Sequence, residues 1–357
     1  MRGQASPIII YLPSGPVLQH SCPLDDGEAV SALAAASNAT VVRLNYRVGA
    51  GSHYPTPIHD VLSGYDWVRQ NLASISTASP SASPVRIGAC GQLVGGSLAA
   101  MLALTESRMG ESGIAAAAIN SPVLDWIFPE STSTSLDLEN VFGVDAESGD
   151  LVEVDAHLKS KSSRAKLKTP SSWDLHQDNT ALPASSLLRA RSELFRRPAN
   201  YFDPFASPIL FFRSPGADVP PPVSDCSDVG SVEPTTPATR RRAHRAFPPT
   251  GSSLRLPDMR ISIGEENPLY DQSEELVRLL RRSIMRTHQA RSRRQPYDRY
   301  EEDAPDDERL AALALADAER RIEFHVPART GLWGSPREPA WRADMTEAGA
   351  WLRKVLT

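Results

Sequence analysis

The chain has 357 residues, of which 41% are hydrophobic, and its formal net charge is −5 at pH 7. This is enough apolar material for a sizeable core, and the mildly acidic balance excludes a nucleic-acid binder driven by bulk positive charge. The cysteines Cys22, Cys90 and Cys226 are far apart, so their spacing indicates neither a zinc site nor a disulfide framework. The apolar run near the N-terminus, about six residues, is too short for a signal peptide or a membrane span. We therefore expect a cytoplasmic protein without a membrane span, a nucleic-acid partner or a cofactor.

Strand and helix patterns alternate along the first third of the chain. The stretch PIIIYL is a continuous apolar, β-branched run, which is typical of a strand buried on both faces. Further strands are predicted at 39–46, 84–90 and 115–119, and helices at 30–37, 57–72 and 95–105. This alternation predicts a mostly parallel sheet with helices on both faces.

The alternation is interrupted at 126–204, which is rich in Ser, Thr, Asp and Lys and ends in a predicted helix, SSLLRARSELF. We interpret this stretch as a lid-like or cap-like insertion between two parts of one core, 1–125 and 205–357. The second part contains predicted strands at 259–263 and 321–326 and predicted helices at 273–285 and 343–356. Its segments near 214–253 and 288–308 are predicted to be flexible surface insertions, because they are rich in proline, serine or charge.

A glycine-rich stretch, GQLVGG, follows the third predicted strand. A strand that turns sharply into a helix at Gly-x-x-x-Gly is typical of a nucleophile elbow, which presents its central side chain at the top of a sheet. The central residue here is Leu93, which has no lone pair and cannot attack a carbonyl. The sequence therefore predicts the turn without the nucleophile. Gly91, Gly95 and Gly96 are expected to serve close packing of strand and helix.

Several motifs resemble the hormone-sensitive-lipase-like branch of the α/β-hydrolases, α/β-hydrolase fold-3. That family carries HGGG, then DYR-LAPEHPFPAALEDV, then GDSAGG-LA, then DPL-D. The successive matches here are PSGP at 13–16, NYRVGAGSHYPTPIHDV at 45–61, GQLVGGSLA at 91–99 and NPLYD at 267–271. The stretches NSPVLDWIF and LFRRPANYFDPFASPILFFRSPG are similar to fungal members of the group.

The resemblance implies an α/β-hydrolase fold with a mostly parallel central sheet flanked by helices, and with lid-like and surface insertions. It also implies an N-terminally short fold, since the family carries further strands before HGGG. Either the sheet lacks these strands or the sequence is a shortened form. Arg47 and Asp60 match family positions that hold loops together by charge and hydrogen bonds, so we expect a structural role for both.

The resemblance implies a Ser–His–Asp triad as well, and the sequence departs from it at every position. Leu93 stands at the nucleophile position and Asn267 at the acid position, where an amide carries no charge to stabilise an imidazolium. The segment expected to carry the histidine, ARTGLWGSP at 328–336, contains none. The fallback candidates are Ser97 as a displaced nucleophile and His325 as a base, although both positions are more typical of packing residues.

The oxyanion hole is also altered. Its donors would come from the backbone of Gly15, Pro16 and Val94, and proline has no N–H to donate. The pocket beside the elbow is expected to be lined by Leu93, Gln92, Ser14 and Tyr54.

These departures leave three functions open. The first is a catalytically inactive member that binds a small apolar or ester-like molecule, or a protein partner such as a second copy. The second is a non-hydrolytic enzyme of small-molecule metabolism that uses polar groups of the cavity, with His53, Tyr54, His20 and Asn267 as candidates. The third is a carboxylester hydrolase with a displaced nucleophile, Ser97 or Ser14. The missing histidine after the last strand disfavours the third function.

Overall fold

A parallel β-sheet organises the part of the chain that the computed structural model describes, which comprises residues 6–18, 23–49, 51–73, 84–108, 113–128, 170–216, 242–292, 307–334 and 339–357. The sheet has six strands in the order β2-β1-β3-β4-β5-β6, and every neighbouring pair is parallel. The strands are β1 (Ile8–Leu12), β2 (Thr40–Arg43), β3 (Ile87–Gln92), β4 (Ile114–Asn120), β5 (Asp258–Ser262) and β6 (Ile322–His325). Each overlaps a strand predicted from the sequence.

Eight α-helices are described around this sheet: α1 (Pro23–Ser37), α2 (Thr56–Val68), α3 (Val94–Thr105), α4 (Ser172–His176), α5 (Ala184–Leu194), α6 (Tyr270–Ser292), α7 (Asp307–Arg321) and α8 (Pro339–Leu356). The sequence prediction missed α7, although its stretch DERLAALALADAERR consists almost entirely of good helix formers. Among the described helices, none is long and apolar enough to cross a bilayer.

Two hydrophobic clusters lie on opposite faces of the sheet. Alternate residues of a strand point to opposite faces, so Ala89 of β3 joins the larger cluster and Cys90 joins the smaller one. The larger cluster packs against α2, α3 and α6 and continues under α5. We refer to residues 170–204, which contain α5, as the cap. The smaller cluster is covered by α1 and α8. The prediction of a parallel sheet with helices on both faces is confirmed.

The predicted insertions are only partly within the described residues. The segments 129–169, 217–241 and 293–306 lie outside them. The end of the predicted insertion 214–253 is packed, because Phe247 is buried and its ring lies 4.9 Å from that of Phe211 and 5.2 Å from that of Phe212. The prediction of an unpacked insertion is therefore wrong for this end. Residues 288–292 likewise belong to α6.

The expected structural pair is present. Asp60 at the start of α2 accepts hydrogen bonds from the backbone N–H of Arg47 at 2.9 Å and from its guanidinium at 2.7 and 3.0 Å. These bonds hold the pKa of the Asp60 carboxyl below its usual value. The pair therefore ties the loop after β2 to the following helix.

A very close backbone contact lies where β3 turns into α3. A Cβ atom on Gly95 would lie 2.2 Å from the carbonyl oxygens of both Leu12 and Pro13, and a Cβ on Gly91 would lie 2.5 Å from the carbonyl oxygen of Gly95. Side-chain carbons do not approach backbone oxygens so closely. Only glycine allows β1, β3 and α3 to pack at this distance.

We expect Gly95→Ala to destabilise the fold by about 3 kcal/mol or more, because the added methyl group forces β1 and α3 apart. The matched control is Gly27→Ala in α1, where a Cβ would meet no atom within 4 Å. That change should raise stability by up to about 1 kcal/mol through helix propensity. Urea unfolding of the purified variants measures both effects, and equal stability of the two variants would contradict the packing argument.

Candidate functional site

The turn between β3 and α3 has the backbone of a nucleophile elbow. Leu93 stands at its tip with φ 52° and ψ −115°, a strained conformation for a residue with a side chain. Its backbone N–H donates to the carbonyl of Asn120 at 3.0 Å, and its carbonyl accepts from the N–H of Ser97 at 2.9 Å. The leucine side chain is fully buried. The turn therefore survives with an apolar side chain at the position where a nucleophile would act.

The backbone donor next to the elbow already has a partner. The N–H of Val94 donates to the carbonyl oxygen of Ser14 at 3.2 Å. Gly15, with φ +76°, lies so close that a Cβ there would be 2.9 Å from the Cβ of Val94. Pro16 follows and has no N–H. The loop after β1 therefore places the carbonyl oxygen of Ser14 against the Val94 N–H, a donor on which an oxyanion would depend.

Asn267 is a buried structural residue at the acid position. Its side-chain N–H₂ donates to the carbonyl of Thr330 at 2.9 Å and to the hydroxyl of Ser121 at 3.1 Å. Its side-chain oxygen accepts the N–H of Leu269 at 2.9 Å. A carboxylate could not make the first two bonds without a proton of its own or, for the second bond, a reversed hydroxyl. The amide therefore fits this environment better than the acid of the family motif.

The loop after β6, where the family motif carries its histidine, is held by hydrogen bonds to its backbone. The carbonyl of Gly331 accepts from the side chain of Asn120 at 2.8 Å, and the N–H of Trp333 donates to the same side chain at 3.3 Å. Both Arg329 and Gly331 have positive φ, 57° and 64°. The sequence contains no histidine after His325. This loop thus supports the core without supplying a base.

His325 ends β6 on the side of the sheet that faces α8. Its Nδ1 lies 3.5 Å from the hydroxyl of Ser262, and its Nε2 lies 3.8 Å from the carboxylate of Glu347. Leu93 belongs to the cluster on the other face of the sheet. The structure therefore does not bring His325 to the elbow.

Ser97 and Gln92 are both buried near the elbow. The Ser97 hydroxyl donates to the carbonyl of Val123 at 2.6 Å and holds the segment after β4 against α3. Gln92 follows Cys90 by two residues on β3 and so points to the face covered by α1 and α8. Only Ser97 of the two faces the cavity described next.

A small apolar cavity of about 30 Å³ lies between the elbow and the cap. Of the residues predicted to line a pocket beside the elbow, Tyr54 lines this cavity, whereas Leu93, Gln92 and Ser14 do not. Burial and then a hydrogen bond to Asp203 raise the pKa of the Tyr54 phenol above its usual value, so this hydroxyl already has a partner. The lining consists of Tyr54, Pro57, Ile58, Val94, Ser97, Leu98, Trp126, Leu194, Phe195 and Ala206.

Of the polar candidates for a non-hydrolytic enzyme within the described residues, only Tyr54 lines this cavity. His53 contacts the backbone carbonyl of Glu193 at 2.7 Å through Nδ1, so it connects the loop before α2 to the cap. Asn267 is enclosed by the loop after β6, and His20 lies outside the described residues. Within the described residues, no group of three His, Cys, Asp or Glu side chains is arranged to hold a metal ion.

Three aromatic side chains, Tyr54, Trp126 and Phe195, line the cavity and are here called the aromatic roof. The sequence analysis missed Trp126 and Phe195, and it missed the ion pair beside them. The ring of Phe195 lies 5.4 Å from that of Trp126 and 5.7 Å from that of Tyr54. Arg213 and Asp125 form a fully buried ion pair at 2.8 Å that supports the segment carrying Trp126. The dense aromatic residues of LFRRPANYF were the available signal for the roof, whereas nothing in the sequence marks the ion pair.

Comparisons with known proteins agree with this fold. A family model described as alpha/beta hydrolase fold matches residues 15–202. A Pyrobaculum calidifontis esterase shares the fold at 16% identity, with 99% of this chain and 78% of that chain covered and a TM-score of 0.53. The thermophilic carboxylesterase EstE1 from a metagenomic library matches at 18% identity, with 100% and 82% covered and a TM-score of 0.54. Carboxyl esterase 2 of the fungus Tuber melanosporum matches at 14% identity, with 100% and 79% covered and a TM-score of 0.54. A search of curated proteins gave no significant match.

Restoring the acid at position 267 should harm the protein. We expect Asn267→Asp to destabilise the fold, because a carboxylate would face the carbonyl oxygen of Thr330 in a buried site. Burial raises the pKa of such a carboxyl, so the loss should grow as the pH rises from 5 to 8. A loss of about 1–3 kcal/mol corresponds to one unsatisfied buried group.

The control is Asn71→Asp, since Asn71 also donates to a backbone carbonyl, that of Trp67, but is exposed. Urea unfolding at both pH values should show a smaller, nearly pH-independent effect for this control. A stable Asn267→Asp variant at pH 8 would show that the site accepts the charge, contrary to the expectation.

Proposed function

The chain belongs to the alpha/beta hydrolase fold-3 family, and we propose that it is a member that binds a small apolar group and does not hydrolyse esters. The observation that carries this proposal is the hydrogen bond from the Val94 N–H to the Ser14 carbonyl. In a hydrolase with this elbow, that N–H stabilises the negative oxygen of the tetrahedral intermediate. Here it is occupied, and the carbonyl oxygen beside it would repel an oxyanion.

The other parts of the elbow region support the same conclusion. Leu93 supplies no nucleophile, and the uncharged Asn267 cannot stabilise an imidazolium. Triad members act together, so the loss of several leaves little for any single survivor to do. The hydroxyl of Ser97 does not replace the missing nucleophile, because it donates to the Val123 carbonyl and no histidine of the described residues bonds to it. These contacts disfavour a displaced triad.

The cavity under the aromatic roof is the binding site in this proposal. Its lining is almost entirely apolar, and the two hydroxyl groups that reach it are bonded to Val123 and Asp203. An apolar cavity of this kind does not hold water well, since a buried water needs about two to four polar partners. A volume of about 30 Å³ admits the end of a short, unbranched carbon chain.

The first test concerns hydrolysis. We expect the wild-type protein to resist labelling by a fluorophosphonate probe and to turn over no p-nitrophenyl butyrate above a heat-treated control. Leu93→Ser should remain inactive as well, because the Val94 donor, the base and the acid would still be lacking. Wild-type turnover that Ser97→Ala abolishes would establish a displaced nucleophile instead.

The second test concerns binding. We expect n-butyl acetate to raise the unfolding temperature of the wild-type protein at concentrations of about 1 mM and above, since so few carbon atoms provide only weak affinity. Ala206→Ile should abolish the shift by filling the cavity that Ala206 lines. The control is Ala312→Ile on the exposed face of α7. A shift that persists in the folded Ala206→Ile protein would place binding elsewhere.

A further inference from the structure

A second cluster of polar side chains lies on the face of the sheet opposite the elbow. It occupies a small cleft between the ends of β5 and β6 and the helix α8. Arg260 on β5 is nearly buried and binds two carboxylates, Glu323 of β6 at 2.6 Å and Glu347 of α8 at 2.5 Å. Ser262, His325 and Asp344 line the same cleft.

The charges in this cleft do not balance. The guanidinium of Arg260 uses separate nitrogen atoms for Glu323 and Glu347, so its positive charge is shared between two carboxylates. Asp344 adds a third carboxylate on the same helix, three residues before Glu347. His325 adds positive charge only when it is protonated. Once Asp344 is ionised, three negative carboxylates therefore surround Arg260.

Among the described residues, Asp344 is the carboxylate of this group that forms no ion pair. Glu347 has both Arg260 and His325 as near neighbours, whereas no hydrogen bond to Asp344 occurs within the described residues. Burial, and then the negative charge of Glu347, raise the pKa of the Asp344 carboxyl above its usual value, while His325 and Arg260 offset this only in part. Ionisation of Asp344 therefore works against the packing of α8 on the sheet.

We propose that Asp344 and Glu347 take up one proton from the solvent as the pH falls, and that this proton fastens α8 to the β5–β6 edge of the sheet. The proton binds to the carboxylate of Asp344 and removes its repulsion with Glu347, which keeps its bond to Arg260. We call Arg260, Asp344 and Glu347 the clasp, because they form a pH-sensitive contact between the edge of the sheet and α8. It requires neither the elbow nor the apolar cavity, so it stands or falls independently of the proposed function.

The clasp lies next to the loop after β6, where the family motif carries its catalytic histidine. Pro327, Gly331 and Trp333 of this loop line the same cleft as Asp344. The neighbouring carbonyl of Thr330 is the partner of Asn267 at the former acid position. Loosening of α8 on ionisation of Asp344 would therefore also affect the loop that supports the elbow region.

The test compares the urea unfolding of wild type and Asp344→Asn between pH 4 and pH 8. A raised folded-state pKa means that the folded protein binds the proton more tightly than the unfolded chain, so wild-type stability is lost as the pH rises through that pKa. Asn mimics the protonated acid. We expect D344N to be more stable than the wild type at pH 8, with the difference shrinking towards zero at pH 4.

Two further arms separate the clasp from an ordinary packing effect. The gain from D344N should be smaller in an E347Q background, because the repelling carboxylate is then absent. The exposed control Asp66→Asn should show a difference from wild type that does not change with pH. A D344N protein that is no more stable than wild type at pH 8 would overturn the proposal, as would a pH-independent difference. An Asp344 carboxyl that titrates at its ordinary value in wild-type NMR spectra would overturn it without any variant.

Discussion

The contact between β1, β3 and the start of α3 determines the arrangement of everything around the candidate site. At Gly95 the backbone oxygens of β1's end and the following loop approach the helix more closely than any side chain permits. The same turn carries the strained backbone of Leu93, and the loop after β1 lies against Val94. The elbow is therefore required by packing, whether or not a nucleophile stands at its tip.

The groups that would serve catalysis in such an elbow form hydrogen bonds within the protein here. The Val94 N–H bonds to Ser14, the Asn267 amide bonds to the loop after β6, and Ser97 bonds to the segment after β4. Active sites keep polar groups poised for a substrate at some expense of stability. In this chain the same groups are satisfied internally. The proposed non-hydrolytic function rests on these contacts.

The two faces of the sheet differ in chemistry at its carboxyl edge. On the face of α3 and the cap, aromatic rings and Leu98 enclose an apolar cavity. On the face of α8, Arg260 and His325 lie among carboxylates in a polar cleft. Along β6 the alternation of side chains separates the two faces, because Phe324 packs against the larger hydrophobic cluster whereas the neighbouring His325 lines the polar cleft. The loop after β6 lines the polar cleft through Pro327, Gly331 and Trp333.

The sequence by itself determined the order of strands and helices, the elbow, and the loss of its nucleophile. Apolar runs, glycine spacing and residue identity are local properties, so Leu93 and Asn267 could be assigned without coordinates. Only the tertiary structure decided that Ser14 occupies the Val94 donor, that His325 faces α8, and that Asp344 joins Glu347 and Arg260. The sequence prediction missed α7 because the charged stretch before it was assigned to a surface insertion, although α7 itself consists of good helix formers. Contacts between residues far apart in the chain depend on which face each side chain takes and on how loops close, and no local pattern specifies either.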